Sequence, residues 1–162
     1  MTDSKGPAPK PFDMAAAMAR YQADRDDYET RASAILPANK TALFDALAAS
    51  GITQVTVSFD GYGDSGQIED ISAMGAGGHM ALPETEISIA TTSWGNAEIT
   101  EHRMAVREAV EQLAYDCLAQ THSGWENNDG AYGEFTFDVA AQVIALEHNE
   151  RFTAIETYAH EF

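Results

Sequence analysis

Asp60, Asp64, Glu69 and Asp70 fall within the eleven residues "DGYGDSGQIED". Clustered carboxylates suit a hard cation, since Ca2+ and Mg2+ take oxygen ligands. The same stretch spells GxGxxG, the pattern of a dinucleotide-binding turn, and GDSG, the pattern around a serine-protease nucleophile. A second segment, "GWENNDGAYGE", repeats the mixture of acid, amide and glycine through Trp125, Glu126, Asn127, Asn128 and Asp129.

Each chemistry makes a demand that the sequence can meet or fail. A dinucleotide turn needs a strand before its glycines and a helix after them, whose N-terminus holds the pyrophosphate. The strand is present, but "QIEDISAMGAGG" lacks a helical period, and Asp60 and Asp64 would repel phosphates. A nucleophilic Ser65 in the trypsin-like order needs a histidine before it, and the first histidine is His79. The EF-hand spacing is met in neither loop; setting Asp129 and Gly130 on it puts Trp125 at the first ligand position. A cation site therefore requires the two loops to meet in space, with Asp60, Asp64 and Asp129 as ligands. Taken alone, each loop is a turn that uses Asp, Asn and Gly for positive φ. The sequence assigns no catalytic residue, no metal ligand set and no cofactor.

The remaining reactive types point to structure. The histidines at 79, 102, 122, 148 and 160 show no HxxxH spacing, and His122 ends a helix, where it complements the dipole. Cys117 lies on an apolar helical stripe and reads as a buried, inert thiol. As the single cysteine it allows no intramolecular disulfide, in keeping with a reducing cytoplasm. Trp94 and Trp125 sit in turn-rich segments; each can serve the core, and Trp125 beside "ENND" can also anchor a partner.

The elements that must position these residues follow from periodicity. Residues 1–11 are rich in Pro, Lys and Gly and read as a disordered tail. Met14, Met18, Tyr21, Tyr28, Ala32 and Ile35 have helical spacing, with Asp13 as N-cap and Pro37 as stop. A second helix, Asn39 to Ser50, places Leu43, Phe44 and Leu47 on one face. "ITQVTVSF" then alternates as a half-buried strand, with "QIEDISAM" as its return. "GAGGHMALPETE" has the composition of a mobile loop, "ISIATT" is a short strand, and "SWGNAEIT" fits either a strand or a loop. A helix over Thr100 to Thr121 buries Val106, Val110, Leu113 and Cys117, and "EFTFDV" with "QVIALEH" forms a hairpin turning near Ala140. The expected architecture is a single α+β domain over residues 12–162: an antiparallel sheet packed against helices, with an additional N-terminal helix over 12–36 and a core over 37–162.

Charge separates the function classes more sharply than any motif. Asp and Glu number 26 against 9 Lys and Arg, a net charge of −17. Residues 37–162 hold twenty of those acids and four of the bases. No Lys or Arg occurs between Lys40 and Arg103, nor between Arg107 and Arg151. Such a surface repels nucleic acid and anionic membranes and attracts a basic protein or a cation. It also confers solubility, although solubility alone needs fewer acids. The start of the chain has no apolar segment of the signal-peptide kind, and no apolar run approaches a membrane span, so the expected location is the cytoplasm.

"FDGYGDSGQIED", "THSGWENNDGAYGEFTFDV" and the ending "NERF…HEF" together resemble an uncharacterised family of small bacterial proteins. Its members occur in proteobacterial chromosomes, plasmids and integrated mobile elements, and the resemblance covers about residues 39–162. It carries no activity and no catalytic residue. What it implies is an accessory gene, a setting in which small acidic proteins inhibit host defence or restriction complexes. The expected function is thus an inhibitory protein whose acidic surface occupies a basic, nucleic-acid-binding surface of a partner. Alternate strand residues lie about 6.6–6.8 Å apart on one face, so rows of carboxylates can imitate successive phosphates. The expected contact residues are Asp60, Asp64, Glu69, Asp70, Trp125, Glu126, Asn127, Asn128 and Asp129. The alternative is a small metal-dependent enzyme or cation-binding module built on the two acidic loops.

Overall fold

The chain is described by a computed structural model over residues 11–63 and 65–162. Most of the expected tail, and Asp64 among the expected contact residues, lie outside the described residues.

Helix α1 spans Met14–Ala49, and the Asp13 side chain caps it by accepting from the Ala16 N–H at 3.2 Å. It is one helix where the sequence suggested two. Pro37 lies inside it, on the exposed side, and the chain stays helical through it. A proline inside a helix removes one backbone hydrogen bond and costs about 3 kcal/mol or more. Burial on the opposite side offsets that cost: Ala32, Asn39, Leu43, Phe44 and Leu47 all face the interior. Thr41 Oγ1 also donates to the Pro37 carbonyl at 3.1 Å.

Strands β1 (Ile52–Tyr62), β2 (Ser65–Gly75) and β3 (Gly78–Met80) follow, with β3 inside the segment expected to be a loop. Strands β4 (Glu86–Ser93) and β5 (Asn96–Ala105) form a separate ribbon, which resolves "SWGNAEIT" as a hairpin. Helix α2 covers Val106–Thr121, shorter at its start than expected, because Thr100 to Ala105 pair with β4 instead. Strands β6 (Ala131–Asp138) and β7 (Val143–Glu150) are the expected hairpin, turning through Gln142 at φ 52. After Glu150 the chain has no helix or strand, and Phe152, Ile155, Tyr158 and Phe162 are exposed.

The main sheet has the order β3-β2-β1-β6-β7 and is antiparallel throughout. Alternation along β1 sends Val55, Val57 and Phe59 to one face, where Phe135 and Phe137 of β6 join them. Leu43, Phe44 and Leu47 of α1 and Val106, Val110, Leu113 and Leu118 of α2 cover that face. Each such side chain contributes about 1.5–3 kcal/mol on burial. The result is a single α+β domain with both helices on one side of the sheet. Among the described residues no helix lies over the other face, and none is long and apolar enough to cross a membrane.

The small ribbon is fastened to α1 by side chains. Asn39, 3% exposed, donates to the Ala90 carbonyl and accepts from the Ala90 N–H, both at 2.9 Å, as a neighbouring strand would. Arg31 donates to Thr92 Oγ1 and to the Ser93 carbonyl, and Trp94 packs on Tyr21 and Tyr28.

Candidate functional site

The two acidic loops meet at one end of the main sheet. The Gly63 N–H donates to the Asn128 carbonyl at 3.0 Å. The Trp125 indole lies over the β1–β2 hairpin and packs edge-to-face with Phe59, ring centroids 5.3 Å apart and planes at 82°. A Cβ on Gly61 would stand 2.6 Å from Trp125 Cζ3, and one on Gly66 would overlap the same ring. A Cβ on Gly130, which sits at φ 80, would run into the Gly61 carbonyl. Gly61 and Gly66, the outer glycines of GxGxxG, are therefore clearances for an indole, Gly63 between them takes a positive φ of 63° in the turn, and the segment after them is a strand rather than a helix that could hold a phosphate. Trp125 itself is half-buried and packs against the core.

Arg151 ties this end together. Its backbone N–H donates to the Gly130 carbonyl at 2.9 Å, and its Nη1 donates to the Gly61 carbonyl at 3.2 Å. Its Nη2 lies 2.9 Å from Asp60 Oδ1, and its Cζ stands 4.7 Å above the Tyr132 ring. Asp129 Oδ2 accepts from Thr153 Oγ1 at 2.7 Å. Two of the three carboxylates expected to hold a cation thus already have internal partners.

The open face of the sheet can be read from the register. Asp70, Ser58, Glu134 and Glu147 line up across β2, β1, β6 and β7. At about 4.8 Å per strand, the row runs about 14 Å. Glu134 and Glu147 are directly paired, and both are exposed. Like charges in that position destabilise a sheet, by about 0.2–1 kcal/mol. Gln67, Asp60, Tyr132 and Asn149 form the next row, and Asp138 lies on the same face. Among the described residues, Arg151 is the one Lys or Arg that reaches this face, and Asp60 neutralises it. Glu69 is exposed at the β1–β2 bulge, where Gln67 Nε2 reaches it at 3.3 Å. Of the expected contact residues, Asp60 and Asp70 belong to the open face, while Trp125 to Asp129 belong to the loop beyond its edge. Glu134, Glu147 and Asp138 were not singled out in the sequence; the alternation of Glu134 and Asp138 with Phe135 and Phe137, and of Glu147 with Ile144 and Leu146, is the signal that assigns them outward.

A third group lies on the opposite face at the same end. His148, on β7, is 6% exposed, and neither of its ring nitrogens has a hydrogen-bond partner. An unpaired buried donor or acceptor costs about 1–3 kcal/mol. The His122 ring, at the end of α2, stacks on His148 with centroids 3.6 Å apart and planes at 9°. Glu150 Oε1 stands 3.5 Å from His148 Nε2 and 3.7 Å from His122 Nδ1. Burial, reinforced by the neighbouring His122, holds the His148 pKa below the usual imidazole range. Elsewhere, burial pushes the Cys117 thiol up to about 11, so it stays protonated and unreactive at neutral pH.

No curated protein and no solved structure matches the chain. A family model does match it over residues 35–162, and the chain belongs to that family, the Family of unknown function (DUF6878).

Proposed function

We propose that this protein is an inhibitory protein-binding module that lays its open acidic sheet face on a basic surface of a nucleic-acid-binding partner. The observation that carries this reading is the Glu134–Glu147 pair, set in a row with Asp70 on a face that no helix among the described residues covers. The row costs the fold stability. A partner's lysines and arginines would reverse that cost on binding. The imitation of phosphates is across strands rather than along one, because Glu134 and Asp138 on β6 have Thr136 between them on the same face.

The resemblance to mobile-element proteins makes a host defence complex the first partner to test, and the protein acts in the cytoplasm, without binding nucleic acid or membrane itself. The alternative, a cation site on the two acidic loops, has less support, since Asp60 and Asp129 are engaged by Arg151 and Thr153. The experiment is to recover partners from a native host with the wild-type chain as bait. Each purified partner is then assayed for binding to its own nucleic acid in the presence of the chain. The proposal expects displacement that weakens as salt is raised, because the attraction is electrostatic. A partner that keeps its nucleic acid at saturating chain would overturn the inhibitory reading.

A further inference from the structure

His148 and Glu150 stand at alternate positions of the edge strand β7 and so share its inner face. Opposite His148 on β6 is Gly133, where a side chain would run into the Glu147 carbonyl and the Phe59 ring, and that ring stacks on His148 with centroids 5.9 Å apart. His122 arrives there from the end of α2, its backbone N–H donating to the Leu118 carbonyl at 2.7 Å. One ligand atom from each of the three residues can be chosen so that all lie within 4.8 Å of one another. The separations from Glu150, 3.5 and 3.7 Å, are too long for good hydrogen bonds. They are close to the ligand-to-ligand spacing around a small metal ion. A buried imidazole with two unpartnered nitrogens, facing a second imidazole and a carboxylate, lacks the group that would satisfy it.

We propose that His122, His148 and Glu150 form a binding site for a divalent transition-metal ion, with Zn2+ the best match. Two imidazoles and one carboxylate are a ligand set that Zn2+ takes readily and that Ca2+ and Mg2+ do not favour. Parallel rings cannot both aim an in-plane lone pair at one ion, so binding turns His122 out of the stack. His122 is free to turn: its side chain is 36% exposed, and that of Glu150 is 73% exposed. Three protein ligands leave a fourth position open. His122 and Glu150 also line a groove of about 260 Å³ with Ser123, Asn127 and Asp129, so polar side chains border that position.

The test is Zn2+ titrated calorimetrically into the full chain, freed of metal by chelator, at physiological salt and with excess Mg2+ to occupy exposed carboxylates. The expected result is one-to-one binding that moves the imidazole resonances of His122 and His148 and leaves those of His79, His102 and His160 in place. Because His148 is buried, the variants are His122→Ala and Glu150→Gln, whose exposed side chains can change without loss of the fold. Each should weaken Zn2+ binding by more than the about 10–100-fold that loss of a mere outer-shell partner costs. Co2+ in place of Zn2+ should give the intense visible absorption of a four-coordinate ion. The proposal is overturned if the folded wild-type chain binds no stoichiometric Zn2+. It is equally overturned if both variants bind it as the wild type does.

Discussion

Trp125 fixes the geometry of the loop end more than any carboxylate does. Its indole needs two residues without side chains beneath it, and Gly61 and Gly66 supply them on paired strands. This explains the first and last glycines of the pattern that imitates a nucleotide-binding turn, while Gly63 between them serves the turn itself at φ 63. It also explains why two loops far apart in sequence close on each other, with Arg151 sealing the seam against Asp60 and Gly61. Gly66→Ala should therefore destabilise the fold by about 1–3 kcal/mol in urea denaturation, the usual cost of overpacking a filled site. In a Trp125→Leu background the same substitution should cost much less, because the overlapping ring is gone. An equal cost in both backgrounds would show that the glycine answers to something other than the indole.

At the scale of elements, the strands β1, β2, β4, β6 and β7 were legible, whereas β3, most of β5 and the helix limits were not. Val55, Val57 and Phe59 alternate strictly, as do Phe135 and Phe137, and both patterns became the inner face of the sheet. The meeting of the two loops could be anticipated, since both border strands of one sheet. Pro37 misled because its local penalty is real, whereas the burial that outweighs it, Asn39 on Ala90 and Phe44 on Phe137, is tertiary. Thr100 to Ala105 misled for the same reason: their strand state comes from β4, not from their own composition. The histidine group had only a faint trace in sequence, the His148 and Glu150 alternation on a strand, because His122 joins it from another element. The family match begins at residue 35, about where α1 starts to bury side chains, and leaves out the largely exposed first half of the helix. If tertiary burial holds α1 straight through position 37, Pro37→Ala should raise stability by about 1–3 kcal/mol, read as a higher urea midpoint. A lower midpoint would mean that the proline is needed for the path of the helix.

For the whole molecule the governing quantity is charge. A net −17 on 162 residues sets up repulsion throughout the folded state, and the sheet register concentrates part of it on one uncovered face. If that face exists to bind, its residues trade stability for affinity, and neutralising them should move the two quantities in opposite directions. Solubility alone would not link them. The variant that separates these accounts is Glu134→Gln with Glu147→Gln, which removes the facing pair and keeps its shape. Urea denaturation and titration of a recovered partner at two salt concentrations, on wild type and variant side by side, give both quantities. The account predicts a variant more stable by about 0.2–1 kcal/mol. It also predicts partner binding at least about tenfold weaker, the loss of a close interfacial charge pair, with a shallower dependence on salt. A variant that gains stability yet binds the partner with unchanged affinity and unchanged salt dependence would contradict it.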